Sequence, residues 1–280
     1  MTDPNRDITD TLRRIAEALE RLTPATFEAA DPSAGDAFIW SGTALQTVET
    51  PLAQPLDLLL GIEAQKAAVV ANTERHAREL PAHDILLWGA RGMGKSALVK
   101  AAHAACAGSG LALVEVTRDD VRTLPALFRQ LRRLDRRFLL FIDDLSFEAD
   151  EREPKALRSV LEGGIEARPD NCRLYVTSNR RHLVPRDLAE NEASTAINPR
   201  DVIDDRLALA DRFGLSLGFH ACDQPTYLAI IRGYAERFGL PFDEHDALAW
   251  AIARGSRSGR VAWQYTQEVA GRVGKRLSRQ

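Results

Sequence analysis

The sequence predicts an α/β fold, a five-stranded parallel sheet covered by helices on both faces, and three observations carry that prediction. An apolar run, Asp84-Ile85-Leu86-Leu87-Trp88, enters the glycine-rich turn Gly89-Ala90-Arg91-Gly92-Met93-Gly94-Lys95-Ser96, and an amphipathic stretch with Ala97, Leu98, Val99, Ala101 and Ala102 leaves it. A second apolar run, Arg137-Phe138-Leu139-Leu140-Phe141-Ile142, reads as a strand buried on both faces and ends in the carboxylates Asp143 and Asp144. Between and after these runs, strand-like and helix-like segments alternate, the pattern of a parallel sheet with helical crossovers.

Each element follows in order. Ile8, Leu12, Ile15, Leu19 and Leu22 recur in steps of four and three, with Arg13, Arg14, Glu17, Glu20 and Arg21 mostly outside the stripe. The stripe predicts an N-terminal helix, and two heptads suit a helix folded back on its own core as well as one that binds a partner. Residues 24–55 are rich in Pro, Ala, Ser, Gly and Thr and read as a connector, in which Phe38-Ile39-Trp40 either adds an edge strand or docks on the core. A helix is expected over about 61–80, then five strands near 84–89, 111–117, 137–143, 172–178 and 214–220. Helices near 95–107, 119–134, 153–163 and 201–210 separate them, and helices alone follow near 225–239, 243–254 and 259–277. This divides the chain into an N-terminal helix and connector (1–54), an α/β nucleotide-binding core (55–222) and a small helical lid (223–280).

The spacing G-x-x-x-x-G-K-S is that of a phosphate-binding loop, which makes the fold that of a P-loop NTPase. Glycines allow a tight turn whose N–H groups face phosphate oxygens, and the following helix adds the positive end of its dipole. Residues Gly89 to Ala97 are therefore the expected binding loop, with Lys95 reaching the β- and γ-phosphates and the Ser96 hydroxyl ligating Mg²⁺. Asp143, at the carboxyl end of its strand, would hold Mg²⁺ directly or through water, and Asp144 would orient and deprotonate an attacking water.

Composition narrows the class. A chain of 280 residues can bury one large core plus a small appended domain. The net charge of −3 neither requires nor excludes a nucleic-acid partner. Cys106, Cys172 and Cys222 lack C-x-x-C spacing, so neither a disulfide framework nor a zinc site is expected. The polar start and the absence of any apolar run of spanning length point to a cytoplasmic protein without a membrane segment.

Five features in order, the P-loop, the acidic strand end, Tyr175-Val176-Thr177-Ser178-Asn179, Ala210-Asp211-Arg212-Phe213-Gly214 and Ser258-Gly259-Arg260, resemble an AAA+ ATPase over roughly residues 55 to 280. In detail, Leu-Leu-Trp-Gly-Ala-Arg-Gly-Met-Gly-Lys-Ser, Phe-Ile-Asp-Asp-Leu-Ser-Phe-Glu, Thr-Ser-Asn-Arg-Arg-His-Leu and Leu-Ala-Asp-Arg-Phe-Gly-Leu are similar to a group of bacterial AAA+ ATPases of unassigned role. The resemblance implies ATP and Mg²⁺ as ligands and a homo-oligomer. It implies Asn179 as the first sensor, with Thr177 or Ser178 as alternatives, and Arg212 as an arginine finger acting on a neighbour's ATP, with Arg206 as the weaker candidate. It also implies Arg260 as the second sensor, rivalled by Arg257, and a backbone clamp for adenine at Leu60 and Gly61. Two departures from the family pattern stand out. The second acidic residue is Asp144 where Glu is usual, so Glu148 is a rival base and turnover is expected to be slow. No aromatic-aliphatic-glycine tripeptide follows the second strand, which argues against threading of polypeptide.

The resulting expectation is an Mg²⁺-dependent ATPase that remodels or positions a macromolecular partner, a protein of unspecified identity. Clustered Arg129, Arg132, Arg133, Arg136 and Arg137, and the lid's Arg254, Arg257, Arg260, Arg272, Lys275, Arg276 and Arg279 with Trp263 and Tyr265 interleaved, leave nucleic acid as a candidate partner. The long connection 180–209 is a further candidate for function or for a surface insertion. The alternatives are an ATP-dependent switch, loader or adaptor with little turnover, and a P-loop small-molecule kinase, which would have no use for Arg212 or Arg260.

Overall fold

The computed structural model describes residues 30–145, 161, 168–179 and 212–277. The expected N-terminal helix, the helices near 153–163 and 201–210, the 180–209 connection, Glu148, Arg206 and Arg279 lie outside these residues, apart from Leu161.

Seven strands form one sheet: β1 (Ala37–Trp40), β2 (Leu45–Thr47), β3 (Ile85–Gly89), β4 (Ala112–Val116), β5 (Phe138–Ile142), β6 (Cys172–Ser178) and β7 (Leu215–Phe219). Their spatial order is β2-β1-β4-β5-β6-β3-β7, and every pairing is parallel except β1 with β2. The five expected strands are all present. Among the described residues two further strands join them, as Phe38 and Trp40 bury one face of β1 and the Ile39↔Glu115 register lays it along β4. The segment read as a connector thus joins the core sheet. Trp40 fixes the junction further, its indole Nε1–H donating to Thr123 Oγ1 at 2.7 Å.

Strand parity sorts the core into two layers. Ile85, Leu87, Leu139, Phe141 and Tyr175 face one side, where α1 (Glu63–Ala77) and α2 (Lys95–Ala105) pack. Leu86, Leu140, Ile142, Leu174 and Val176 face the other, against Leu124, Leu127, Phe128 and Leu131 of α3 (Leu124–Leu131). Successive side chains alternate because the strand period is two, so central strands buried on both faces must be apolar throughout. The helix expected over 119–134 begins later: Pro125 lies in the first turn of α3, and Arg118–Thr123 forms a 3₁₀ turn before it.

The segment expected to form the lid carries α4 (Gln224–Phe238), α5 (Glu244–Ala253) and α6 (Gly259–Arg272). Each starts at a side-chain cap: Asp223 accepts from the Thr226 N–H at 2.8 Å, Asp243 from the Asp246 N–H at 2.9 Å, and Ser258 from the Val261 N–H at 3.2 Å. Helix α6 stops short of the expected 277 because Gly274 (φ 69°) takes the left-handed position and the Lys275 N–H closes back on Ala270 O at 2.8 Å. Trp263 packs edge-on against Tyr234, with ring centroids 5.3 Å apart, and joins α6 to α4. Among the described residues no helix is long and apolar enough to cross a membrane.

Candidate functional site

The glycine-rich turn connects β3 to α2 and is held from two sides. Gly89 has φ 119°, and a Cβ there would lie 2.2 Å from Phe219 O, the carbonyl that accepts the Ala90 N–H at 2.7 Å. No side chain fits between the loop and β7. Gly92 (φ 75°) meets the lid: a Cβ would sit 2.8 Å from Ser258 Oγ, and Gly92 O accepts the Arg260 N–H at 3.0 Å. Lys95 is buried and donates from Nζ to Gly89 O at 3.0 Å and Ala90 O at 2.8 Å. Burial pushes its pKa down to about 8; Asp144 and Asp143 work against that shift, and Arg260 and Arg91 add to it.

Opposite the loop, parity decides which carboxylate faces Ser96. Asp143 follows Phe141 on the face that carries α2, and Ser96 Oγ donates to Asp143 Oδ1 at 2.5 Å. Thr177, two residues beyond Tyr175 on the same face of β6, donates from Oγ1 to the same oxygen at 2.5 Å. Its hydroxyl also accepts the Asp144 N–H at 2.8 Å, and its carbonyl accepts the Leu145 N–H at 2.8 Å. Asp144 holds the left-handed conformation (φ 53°), with Oδ1 accepting from Asn179 Nδ2 at 2.5 Å. Asp143, Asp144, Ser96 and Asn179 thus lie together in the structure.

They line a cavity of about 390 Å³, within the range of small-molecule sites. Its lining combines the polar groups of Lys95, Ser96, Asp143, Asp144, Asn179 and Arg260 with the largely apolar side chains of Leu58, Leu59, Leu60, Ile62, Met93, Ile230, Tyr234 and Trp263. Such a mixed lining suits a ligand with both a flat base and phosphates. The donor set also fits Mg²⁺. Ser96 and Asp143 offer adjacent hard oxygens, and no group of three His, Cys, Asp or Glu among the described residues forms an all-protein cage.

The remaining sequence candidates separate. Gly89, Ala90 and Arg91 shape the loop without lining the cavity. Leu60 lines it, but Gly61 instead abuts the lid, where a Cβ would lie 2.5 Å from Thr226 Cγ2. Arg260 lines the cavity, whereas Arg257 turns to Gln224 Oε1 at 3.4 Å, which favours Arg260 of the two. Arg212 stands at the other end of the sheet, three residues before Leu215, which pairs with Ile85 at the start of β3. Trp263 and Tyr265 are 6% and 1% exposed, so the interleaved-aromatic reading does not hold for them. Arg136 and Arg137 are engaged within the chain, by Asp36 and Glu79. Sequence reasoning missed Gln54, Ile230 and Tyr234, since an α4 helix reads as core from its periodicity and nothing local signals that one stripe faces a ligand.

A P-loop on β3, separated by β6 from an acid-ended β5 and followed by three further helices, gives the chain a P-loop fold of AAA+ type. The chain belongs to the family described as Protein of unknown function (DUF815), which matches residues 33–273. Among solved structures it is similar to the Thermotoga maritima RuvB Holliday junction branch migration motor, with 19% identity over 79% of this chain and 67% of that one at a TM-score of 0.49. A RuvB mutant from the same organism matches at 19% identity over 81% of this chain and 69% of that one, with a TM-score of 0.50. At this identity the second likeness shows a shared fold alone. No curated protein matches the chain's sequence.

Proposed function

We propose that the protein is an Mg²⁺-dependent ATPase of AAA+ type that binds ATP at Gly89–Ser96, hydrolyses it between subunits, and uses the cycle to position or remodel a macromolecule. The observation that carries this reading is the convergence of Ser96 and Thr177 on Asp143, beside Asp144 and Asn179, at the mouth of the loop cavity. Lys95 and the loop N–H groups would bind the phosphates, with base and ribose against Leu58–Leu60, Ile62, Ile230 and Tyr234. Ser96 and Asp143 would hold Mg²⁺, which when bound neutralises charge between the β- and γ-phosphates. Asp144 accepts the proton of the attacking water, and the Asn179 amide, a donor and acceptor without charge, orients that water.

Arg212 supports an interface mechanism by its position. A strand rises about 3.3 Å per residue, so β3 and β7 put it on the order of 15 Å from its own loop. That separation favours a reading in which Arg212 reaches the phosphate end of an adjacent copy rather than that of its own chain. Arg260 would contact the γ-phosphate in cis and report it to the lid. We assign 55–222 and 223–280 as core and lid, with β1 and β2 extending the core.

A second reading, an ATP-dependent switch or loader with little turnover, is favoured by Asp144, one methylene shorter than Glu and already bonded to Asn179. A small-molecule kinase fits less well, because Tyr234, Arg260 and Trp263 of the lid fill out the same cavity that would need to admit an acceptor. The exposed Arg254, Arg257 and Arg276 keep nucleic acid among the candidate partners. The deciding experiment is titration of the full chain with ATP by calorimetry, with and without Mg²⁺, followed by steady-state turnover. ATP binding with turnover supports the ATPase. ATP binding with no turnover, but with altered DNA or partner affinity, supports the switch. No binding rejects both.

A further inference from the structure

We propose that Thr177 is a positioning residue that sets both carboxylates of the site through one hydroxyl, a reading that rests on the ATPase assignment above. The hydroxyl has one proton and is bonded on both sides. It accepts the Asp144 N–H at 2.8 Å, so its own proton goes to Asp143 Oδ1 at 2.5 Å. One atom therefore fixes the rotation of the metal-side carboxylate and the backbone conformation of the base.

The second task has a local reason. Asp144 sits at φ 53°, a conformation that costs a non-glycine residue energy and persists only where neighbours over-determine it. The Thr177 Oγ1 bond to the Asp144 N–H and the Thr177 carbonyl bond to the Leu145 N–H grip that residue from one strand end. Held so, the Asp144 carboxylate turns toward Asn179 and the cavity. Thr177 is 1% exposed, and β-branching makes its χ1 stiff, so the hydroxyl has little freedom to choose other partners. The sheet supplies the register: Thr177 pairs with Leu87 on β3, the strand that delivers the loop, and neighbours β5, the strand that delivers the carboxylates. Asp143 Oδ1 accepts from Ser96 and Thr177 together, so loop, acidic turn and sensor strand share one oxygen.

Thr177→Val keeps shape and branching and removes the hydroxyl; Thr177→Ser keeps the hydroxyl. In Thr177→Val, ATP affinity measured in EDTA should match the parent, while the Mg²⁺ concentration for half-maximal turnover rises and turnover falls on the order of 10²-fold, the scale of an ångström-sized misplacement. Thr177→Ser should recover most of that loss. Hydrogen exchange of the Asp144 and Leu145 amides in the nucleotide-free chain is the independent readout: protected in the parent, faster in Thr177→Val, protected again in Thr177→Ser. Parental turnover and Mg²⁺ dependence in Thr177→Val, unchanged amide exchange, or a serine variant no better than valine would each overturn the proposal. If the parent itself binds no ATP the ATPase reading fails, and the brace is then judged by exchange alone.

Discussion

At the scale of single residues, the site is organised by where protons can go. Lys95 is held near pKa 8 inside its own loop, below the ordinary lysine value, so the folded chain binds fewer protons there than the unfolded chain between about pH 8 and 10.5. The contribution of this one group to stability therefore rises with pH across that window. Phosphates beside the ammonium restore its charge, so ATP binding at pH 8.5 should be accompanied by proton uptake, read as a dependence of calorimetric enthalpy on buffer ionisation. Lys95→Arg should lose the uptake because guanidinium stays charged, and Lys95→Ala should abolish tight ATP binding. Unchanged affinity in a folded Lys95→Ala chain would remove the P-loop assignment. The carboxylates divide in the same way: Asp144→Asn should leave ATP bound with slowed turnover, whereas Asp143→Asn should also weaken the Mg²⁺ dependence. If Glu148→Gln is the slow variant and Asp144→Asn is not, the base is Glu148.

At the scale of elements, β3 and β5 were legible because they are apolar runs, and parity alone predicts that Asp143 rather than Asp144 shares a face with Phe141. The helix ends were less legible: Gly274 and Pro125 act through backbone geometry that competes with side-chain periodicity. Strand β1 was half visible, since Phe38-Ile39-Trp40 is short and its burial depends on β4, which no local pattern reveals. The cavity's apolar lining was hidden for a related reason, as Ile230 and Tyr234 are distant in sequence from the loop they face. Helix α1 carries its own prediction. His76 Nε2 donates to Phe138 O at 3.1 Å, tying the helix to β5, and burial pushes the ring down to about 4. The folded value lies below the unfolded one near 6.5, so the stability contribution is complete above that pH and is lost as pH falls toward 4. Denaturant unfolding should show a loss of about 2 kcal/mol between pH 7 and pH 5 from this group. His103, shifted the same way by burial, adds to it. A His76→Gln variant with the parental pH slope would show that the sensitivity lies elsewhere.

At the scale of the whole molecule, the proposed interface mechanism would make activity a property of an assembly. Arg212→Ala should lose hydrolysis with ATP affinity nearly intact, because the finger acts on charge that develops in the transition state. Mixing Arg212→Ala with Lys95→Ala subunits should recover part of the activity, since a mixed interface pairs an intact loop with an intact finger. A parent that stays monomeric with ATP by light scattering, keeps its rate per subunit on dilution and shows no recovery in the mixture would place the whole reaction within one chain.

The added strands have a practical meaning for anyone who trims the chain. Without β1 and β2, β4 would end the sheet with Ala112–Val116 presenting a row of open N–H and C=O groups on a nearly all-buried strand. Such an edge invites pairing with another copy, and the three-residue β2 is a poor template for it. A chain begun at residue 55, where composition alone suggests the core starts, should retain the loop and lid yet aggregate on concentration. One begun at residue 30 should stay dispersed, and light scattering of the two side by side would tell a protective border from a dispensable one.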